Sequence, residues 1–448
     1  MKATGNKKKT RPTEIKNSPE AHKEKLEELA VDGQIPKAVA YPTTNEEACN
    51  LLREADSTGK KVSIRGGGTK QRIGNSIEGL DLVISTHKLN QILEYEPADL
   101  TLCVQAGANL AQVQSELAKH GQFLPIASPL SANATVGGAI ASNSSGPTRL
   151  QYGAARDWLI GVRFALADGT LAKGGGRVVK NVAGFDMMKL MIGSMGTLAM
   201  LLELNLKLLP LPKARATALI PFSAEHEACE AALRIIDKGI FPTAETVLDS
   251  KGAEALGLDA RTILLIEVRN TTQAVERQMR EIQQLVWQLS GAKVERINDE
   301  DSQSKLWSPV TDFAYRAAVN APNTFVIKIG VVPTQVAMLI RQAHQSAKMN
   351  NIQVECMAHA GHGIMYVVGN YPEKEEESAL KAIKEIIAKA ESNSGSAIIE
   401  QAPPALKAQF KDIWGNALSR TELRLMREIK KKLDPNRTLN PGRFVNSI

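Results

Sequence analysis

The run Gly174-Gly175-Gly176-Arg177-Val178-Val179-Lys180-Asn181-Val182-Ala183-Gly184-Phe185-Asp186 is the third of three glycine loops in this chain. The two earlier loops are Arg65-Gly66-Gly67-Gly68-Thr69 and Thr135-Val136-Gly137-Gly138-Ala139. Glycine has no Cβ and adopts positive φ readily, so several backbone N–H groups can turn toward one anion. One such loop is weak evidence, because a plain tight turn also explains it. Three loops in this order predict a chain that wraps a long, phosphate-bearing cofactor.

The common nucleotide-binding motifs are absent from the sequence. No Gly-x-Gly-x-x-Gly run lies between a strand and a helix, as a dinucleotide-binding βαβ unit requires. No Gly-x-x-x-x-Gly-Lys-Ser/Thr run is present either, which argues against a P-loop nucleotidase. The second glycine loop lies within the small, polar stretch 131–146, whose composition suits close approach to a planar or phosphate-bearing ligand. A solvated linker is the alternative, and the apolar Val136, Ala139 and Ile140 argue against it.

The net charge of +7 is concentrated at the amino terminus. Residues 1–16 hold six Lys or Arg residues and one Glu, a net of +5, so the remaining chain carries only +2. We therefore predict a basic, disordered tail on a near-neutral body and no nucleic-acid-binding face. Weak attraction of the tail to an anionic membrane or partner is the alternative function.

The cysteines are widely scattered, at Cys49, Cys103, Cys229 and Cys356. They form neither a Cys-x-x-Cys pair nor a metal-binding spacing, so we expect buried, reduced thiols and a cytoplasmic protein. An iron–sulfur cluster needs grouped thiolates and is not expected on this chain. The apolar runs are too short for a membrane span, and the amino terminus lacks the apolar region of a secretory signal.

The 448 residues predict two or three domains. We expect a basic disordered tail and a short helix within residues 1–36, the helix covering 17–35. Strands that lead into glycine turns indicate an α/β region over 37–212, and Pro210 and Pro212 mark its end. From 213 to 448, alternating helices and strands predict a second α+β domain with a sheet covered on one side.

At this point a family resemblance becomes clear. The three loops resemble the FAD-binding domain of the vanillyl-alcohol oxidase/p-cresol methylhydroxylase flavoprotein superfamily, over residues 37–212. The block 180–186 and the following Gly193-Ser194-Met195-Gly196-Thr197-Leu198 are similar to the glycolate oxidase and D-lactate dehydrogenase branch. Residues 178–184 in particular resemble the FAD-binding GlcE chains of bacterial glycolate oxidases. The ending Asn440-Pro441-Gly442-Arg443 resembles that branch's carboxy terminus.

The resemblance implies a fold and a cofactor. The fold would be α+β, with a p-cresol methylhydroxylase-type FAD domain of two α/β subdomains. A ferredoxin-like α+β cap or substrate domain would follow, and its carboxy-terminal tail would return to the flavin domain. FAD would be bound non-covalently, because no His or Cys lies at the glycine loops where family variants attach flavin. The implied cofactor-binding residues are Arg65, Gly66, Gly67, Gly68, Thr69, Pro129, Thr135, Gly137, Gly138, Ser142, Gly146, Asn181, Val182, Gly184, Asp186 and Asn440.

The catalytic residues are less clear. Related proteins carry His-Ala-Gly-Asp-Gly-Asn-x-His near a metal, whereas this chain has His359-Ala360-Gly361-His362-Gly363-Ile364-Met365-Tyr366. We therefore expect no metal, and we take His359 and His362 as candidate groups near the flavin, or as residues that satisfy a turn. Arg316, in an aromatic and basic run, is the candidate cation for a substrate carboxylate, with Arg149 and Arg443 as alternatives.

Three functions remain open at this point. The first is a flavin subunit of a glycolate or related 2-hydroxy-acid dehydrogenase complex, with a second flavoprotein and an iron–sulfur protein as partners. Such a protein would be cytoplasmic, with peripheral membrane association through the complex as an alternative. The second is a stand-alone FAD-dependent dehydrogenase for a D-2-hydroxy acid or a sugar acid. The third is a non-catalytic flavin-binding subunit.

Overall fold

The computed structural model describes residues 26–176, 185–321, 323–415 and 418–448. Ten strands precede residue 212: Ala38–Ala40 (β1), Val62–Arg65 (β2), Leu82–Ser85 (β3), Ile92–Glu96 (β4), Thr101–Gln105 (β5), Gln122–Phe123 (β6), Leu159–Ala165 (β7), Leu171–Gly175 (β8), Met200–Lys207 (β9) and Leu209–Pro210 (β10). The helices of this part are Asn45–Ser57 (α1), Leu110–Ala118 (α2), Val136–Ala141 (α3), Arg149–Tyr152 (α4), Ala155–Trp158 (α5) and Met187–Met191 (α6).

Two main sheets build this first part of the chain. Strands β1, β3 and β2 form a parallel three-stranded sheet, and β4, β5, β9, β7 and β8 form an antiparallel sheet of five strands. Strands β10 and β6 make a small antiparallel pair. The helix α1 covers the parallel sheet with its apolar face, as the spacing of Ala48, Leu51, Leu52 and Ala55 predicts. The predicted α/β character of this region is confirmed.

Side-chain caps fix where the helices begin. The Thr44 side chain accepts a hydrogen bond from the N–H of Glu47 at the start of α1. The sequence predicts a helix over 109–120 that Asn109 caps, and the Asn109 side chain accepts a hydrogen bond from the N–H of Gln112 at the start of α2. Each cap satisfies one of the N–H groups that have no partner in the first helical turn.

The carboxy-terminal half supplies eight further strands and nine further helices in the described residues. The strands are Ala214–Phe222 (β11), Ala244–Leu248 (β12), Thr262–Asn270 (β13), Glu295–Ile297 (β14), Thr324–Gly330 (β15), Gln353–His359 (β16), Ile364–Asn370 (β17) and Ser396–Gln401 (β18). The helices are Glu225–Asp237 (α7), Ser250–Ala255 (α8), Thr272–Ser290 (α9), Glu300–Thr311 (α10), Phe313–Asn320 (α11), Val336–Met349 (α12), Glu376–Ser392 (α13), Pro404–Lys407 (α14) and Arg420–Leu433 (α15).

The eight strands form one antiparallel sheet in the order β14-β11-β13-β12-β16-β17-β15-β18. The expectation that helices cover only one side of it is wrong. Alternate residues of β13 point into different cores: Leu264 and Ile266 pack with helices α7, α9, α12 and α13, whereas Ile263 and Leu265 pack with α10 and α11. Burial of both faces explains why β13 reads as a continuous apolar run rather than an alternating one.

The end of the chain returns to the first part, as the family resemblance implies. Leu439 pairs with Val62 as an isolated parallel bridge, and the N–H of Asn440 donates to the carbonyl of Val62 at 2.8 Å. The tail therefore adds to the edge strand β2, directly before the first glycine loop. The polypeptide passes between the two parts between Pro210, in β10, and Ala214, in β11.

The predicted amino-terminal helix is not supported over its carboxy-terminal half. Residues 17–25 lie outside the described residues, as does the basic tail, and from Glu28 onward the chain forms turns closed by a bridge between Val31 and Gln34. A helix of the length and hydropathy needed to span a bilayer does not occur within the described ranges.

Candidate functional site

A cleft with about 700 Å³ of open space lies where the first two glycine loops meet. Its wall contains eight of the predicted cofactor-binding residues: Gly66, Gly67, Gly68, Thr69, Thr135, Gly137, Gly138 and Ser142. The side chains of Ile64, Ala106 and Leu201 add an apolar part to the wall. A cleft lined by two glycine loops and by apolar side chains suits a ligand that has both a phosphate part and an apolar part.

The glycines of the cleft have two different functions. A Cβ atom on Gly137 would lie 2.6 Å from Ala106 Cβ, so this glycine permits close packing inside the protein. A Cβ atom on Gly138 would meet only Thr135 Oγ1, at 3.0 Å, and no other protein atom within 4 Å. Since Gly138 lines the cleft, the space beside it is kept open for a ligand, and the residues present fit a bound FAD.

Arg443 holds the first glycine loop in place. Its guanidinium is buried and donates to the carbonyls of Lys70, Gln71 and Ile73 at 2.7–3.1 Å, and to the Gln71 side chain. These four hydrogen bonds involve all three of its nitrogens and four of its five N–H groups. Arg443 therefore closes the cleft from the carboxy-terminal tail, and the alternative role as a substrate cation is not supported.

The other predicted cofactor residues lie around the cleft rather than in its wall. The Arg65 guanidinium packs against Gly68, where an added Cβ would be 2.4 Å from Nη2. The side-chain amide of Asn440 donates to the carbonyls of Met195 and Gly196, and its oxygen is buried without a partner.

Three more predicted cofactor-binding residues do not line the cleft. Pro129 precedes Leu130, whose N–H donates to the Asp312 carboxylate at 2.6 Å, so this segment joins the two parts of the chain. Gly146 lines a small cavity together with Arg149. Asp186 is exposed, and its carboxylate caps α6 and pairs with Lys189. Both partners of this carboxylate therefore lie within its own helix. The predicted residues Asn181, Val182 and Gly184 lie outside the described residues.

A buried polar cluster lies beside the cleft, between the two parts of the chain. Lys70 Nζ, which follows the first glycine loop, lies 3.0 Å from Ser128 Oγ, contacts Ser144 Oγ and stands 5.5 Å from the centre of the Tyr315 ring. Burial and the nearby Glu400 carboxylate raise the pKa of Tyr315, and Glu400 in turn pairs with Lys328 at 3.6 Å. This cluster joins the first glycine loop to the eight-stranded sheet.

Lys328 and Tyr366 extend the polar cluster toward the two histidines. Lys328 Nζ lies 5.7 Å from the centre of the Tyr366 ring, and the Tyr366 ring meets the His359 ring edge to face, with centres 6.2 Å apart. The nearby Tyr366 hydroxyl and Glu400 carboxylate raise the pKa of Lys328, so this ammonium group stays charged at neutral pH. A fixed positive charge therefore lies near His359.

His359 and His362 are brought together at the turn between β16 and β17. Their rings meet edge to face, with centres 5.3 Å apart. His359 Nδ1 lies 3.0 Å from Thr246 Oγ1 and 3.3 Å from the carbonyl of Glu245, and a carbonyl can only accept. Nδ1 therefore carries the proton, and Nε2 is left as an acceptor.

His362 has the same tautomer, for a similar reason. Its Nδ1 lies 3.2 Å from the carbonyl of His359, so Nδ1–H donates and Nε2 is the acceptor. This Nε2 is buried and has no hydrogen-bond partner. Burial lowers the pKa of His362 to about 4 and that of His359 to about 3, so both imidazoles are neutral at pH 7.

The Glu245 carboxyl supports this turn from below. It accepts a hydrogen bond from the N–H of Gly361 at 2.7 Å. Burial raises the pKa of Glu245 to about 7, although the backbone N–H groups of Gly361 and Ala360 oppose this shift. Glu245 Oε1 has no partner. A carboxyl group at this position fixes the backbone that carries both histidines.

Arg316 does not have the environment that the sequence suggests. Its Nη2 lies 2.7 Å from the Glu355 carboxylate, and its guanidinium stands over the Phe313 ring at 4.8 Å. Arg316 does grip a carboxylate, but one that belongs to this chain, so its predicted role toward substrate is not supported. Arg149, the alternative cation, contributes to the lowered pKa values of His359 and His362 and pairs with no carboxylate in the described residues.

Among the described residues, no set of three potential metal ligands comes together at His359. One group of three potential ligands within 4.8 Å occurs elsewhere in the described part of the chain, at Asp249, His344 and Cys356. Asp249 already accepts from the backbone N–H groups of Gly252 and Cys356 and contacts His344 Nε2 at 2.6 Å. Asp249 is thus the N-cap of helix α8, and its hydrogen bonds explain why the three side chains lie close together without a metal.

Sequence reasoning missed most of the polar cluster: Lys70, Ser128, Ser144, Tyr315, Lys328 and Glu400. Two of these residues do leave a signal. Lys328 stands between apolar neighbours in Phe325-Val326-Ile327-Lys328-Ile329, and Glu400 ends the run Ile398-Ile399-Glu400. A charge inside an otherwise apolar strand indicates a buried, paired or functional group.

The comparisons with known proteins agree with this architecture. A family model described as "FAD binding domain" matches residues 36–175, and one described as "FAD linked oxidases, C-terminal domain" matches residues 211–444. The solved structure of p-cresol methylhydroxylase with substrate bound superposes with a TM-score of 0.74 at 14% identity, over 92% of this chain and 89% of that one. The predicted fold of this superfamily is confirmed.

Two curated relatives match nearly the whole chain. Glycolate oxidase subunit GlcD of Bacillus subtilis is 28% identical over 92% of this chain and 89% of its own length. A D-lactate dehydrogenase of Archaeoglobus fulgidus is 26% identical over 92% of this chain and 91% of its own length. The specific resemblance to GlcE stays a prediction. The two family models and the cleft that fits FAD lead to one conclusion: this chain is an FAD-binding oxidoreductase and belongs to the FAD-linked oxidases.

Proposed function

We propose that this chain oxidises a small 2-hydroxy acid, with glycolate and D-lactate as the first candidates, to the 2-oxo acid. The observation that carries the proposal is the buried cluster beside the cofactor cleft, where cations and neutral histidines occur together. The similarity to a glycolate oxidase subunit and to D-lactate dehydrogenases supports this choice of substrates.

The residues of the cluster can divide the work of the reaction. The cations Arg149 and Lys328 would bind the substrate carboxylate, because charge-assisted hydrogen bonds to carboxylates are strong. His362 Nε2, a buried acceptor without a partner, would take the proton of the substrate hydroxyl. Tyr315 and Tyr366, both nearly inaccessible to solvent, would exclude water. Bound FAD, held at the cleft by the loop 66–69 and by Gly138, supplies the acceptor for the hydride.

The test is anaerobic reduction of the protein-bound FAD by added glycolate or D-lactate. We expect loss of the oxidised flavin absorbance in the wild type. Replacing His362 with Gln should slow this loss by roughly 10²–10⁴-fold, the usual contribution of a positioned base. The control is His226→Gln, which changes an exposed histidine of helix α7. A His362→Gln protein that reduces its FAD at the wild-type rate would refute this assignment.

We further propose that electrons leave through partner subunits, a second flavoprotein and an iron–sulfur protein, in a complex that lies in the cytoplasm or at the inner face of the membrane. The four cysteines of this chain are buried and scattered rather than grouped, which supports a route through another chain. Co-purification with neighbouring subunits, followed by reduction with hydroxy acids, separates the alternatives. Reduction only in the complex supports a role as one subunit of several, and reduction of the isolated chain supports a stand-alone dehydrogenase. Absence of reduction in both supports a non-catalytic role and would refute the proposed oxidation.

A further inference from the structure

Lys70 belongs to both parts of the site. It lines the cofactor cleft together with the glycine loop that precedes it. Its ammonium group, however, reaches into the polar cluster, where it contacts Ser128 Oγ and Ser144 Oγ and lies against the Tyr315 ring. Both serines are buried. The charge of Lys70 is therefore held at the boundary between the cleft and the eight-stranded sheet.

This charge has no carboxylate partner of its own among the described residues. The nearby Glu400 pairs with Lys328, and the nearby Asp312 accepts from the N–H of Leu130. Burial lowers the pKa of Lys70, Glu400 and Asp312 raise it only in part, and the Lys328 charge adds to the lowering, so that the resulting pKa is about 7. Burying an incompletely paired cation is unfavourable, and two hydroxyl groups do not neutralise it.

An anion in the cleft would compensate this cation. Reduction of FAD by a hydride adds two electrons and one proton, so the bound cofactor gains one negative charge. We propose that Lys70 stabilises this negative charge, and so makes the bound cofactor easier to reduce. Charged groups near the flavin ring are an established means of tuning its electronics. The inference rests on FAD binding and not on the identity of the substrate, so it can fail independently of the proposed function.

The protons balance in a defined way. Where Lys70 is neutral before reduction, it takes one proton from solvent as the cofactor gains its charge. The uptake is then two protons for two electrons, one delivered with the hydride equivalent and one bound at Lys70. Where Lys70 is already charged, the second proton is not taken up there. The remaining groups that face Lys70 are Lys328, Glu400, Asp312, Tyr315 and the two serines.

The test is the reduction potential of bound FAD, measured by equilibration with a reference dye in the holoprotein. We expect Lys70→Met to lower the equilibrium constant for reduction at least tenfold at pH 6, which is about 30 mV for a two-electron couple. Lys70→Arg should restore most of the loss, because it keeps the charge. The matched control is Lys88→Met, which removes an exposed lysine that lies over Tyr41. An unchanged potential in Lys70→Met, with FAD still bound, would overturn the inference.

A second measurement covers the case in which Lys70→Met does not retain FAD. The wild-type potential is then followed from pH 6 to pH 9. We expect its slope to correspond to two protons per two electrons above pH 7, where Lys70 is neutral before reduction. A slope of one proton per two electrons above pH 7 would show that Lys70 keeps the same charge before and after reduction. The potential of a second variant, Lys70→Gln, at pH 6 then decides: a lower potential than wild type supports the inference, and an unchanged potential would equally overturn it.

Discussion

The buried Glu245 carboxyl controls the turn that carries both histidines, and its raised pKa makes a prediction about stability. A carboxyl whose pKa rises from 4.5 to about 7 on folding binds its proton more tightly in the native state. Its contribution to the free energy of unfolding is therefore present at low pH and is lost as the pH rises through about 7.

Replacing Glu245 with Gln mimics the protonated carboxyl, since the Gln oxygen can still accept from Gly361. We expect the variant to gain roughly 3 kcal/mol relative to wild type between pH 4.5 and pH 8, from about 1.4 kcal/mol per pKa unit. Urea denaturation at several pH values measures this difference. Parallel stability curves for the two proteins would mean that folding does not raise the pKa of Glu245.

Single residues also show how far the sequence alone can predict the site. His359 and His362 stand in a recognisable motif, and the structure brings their rings together. Lys70 and Glu400 come from positions 330 residues apart and meet only because the sheet packs against the glycine loop. No local pattern records such a meeting. Arg316 had a suitable local sequence, but its partner Glu355 lies on another element, so the pairing could not be predicted from the sequence.

At the scale of elements, helix α15 is tied to the tail by a buried ion pair. Lys430 Nζ lies 2.6 Å from Asp434 Oδ2 and also donates to the carbonyls of Thr197 and Leu439. The two side chains are only 6% and 0% exposed. The Asp434 carboxylate accepts in addition from the backbone N–H groups of Thr438 and Leu439. This pair thus connects α15, the tail and the strand β9 region.

Replacing Lys430 with Met leaves the Asp434 charge buried without its cation. We expect a loss of about 3–5 kcal/mol in the free energy of unfolding, measured by urea denaturation. The matched control is Lys381→Met in α13, since the Glu377–Lys381 pair has the same i, i+4 spacing but its Lys and Glu side chains are 62% and 80% exposed. That change should cost less than about 1 kcal/mol. Equal losses for the two variants would contradict a special role for the buried pair.

The helices were the elements that the sequence predicted best. Apolar stripes in the sequence predict helices over 224–238, 272–289, 335–349 and 374–390, and the observed helices α7, α9, α12 and α13 agree with these ranges within two residues at both ends. Strand β11 was missed because Lys213-Ala214-Arg215-Ala216 mixes small and charged residues next to two prolines. Its antiparallel pairing with β13 over nine residues stabilises this strand although its local sequence has a weak strand propensity.

At the scale of the whole molecule, the cofactor cleft is assembled from segments far apart in the sequence. The first glycine loop, the stretch around α3 and the tail at Arg443 all contribute to its wall. The sequence indicated the glycine loops through their composition. It could not indicate by composition where the tail would pack, because a coil rich in Pro, Gly and Asn has no periodicity. The family resemblance supplied that part of the architecture.

The last prediction concerns the coupling between the cleft and overall stability. FAD that binds only the folded chain should stabilise it by about 2.7 kcal/mol at a concentration of 100 times Kd. Replacing Gly138 with Val puts methyl groups into the open side of the cleft, where no protein atom but Thr135 Oγ1 is close. We expect the FAD-free variant to unfold near the wild-type temperature, and the increase in unfolding temperature with FAD to be lost.

The matched control for this experiment is Gly330→Val at the end of β15, where an added Cβ would meet Ser396 Oγ at 3.1 Å, a contact as close as that at Gly138. Because Gly330 does not line the cleft, this variant should keep the full increase in unfolding temperature with FAD. If Gly138→Val were stabilised by FAD as strongly as wild type, the cofactor would not occupy the space beside Gly138. If both variants lost the increase, the effect would reflect general destabilisation rather than obstruction of the cleft.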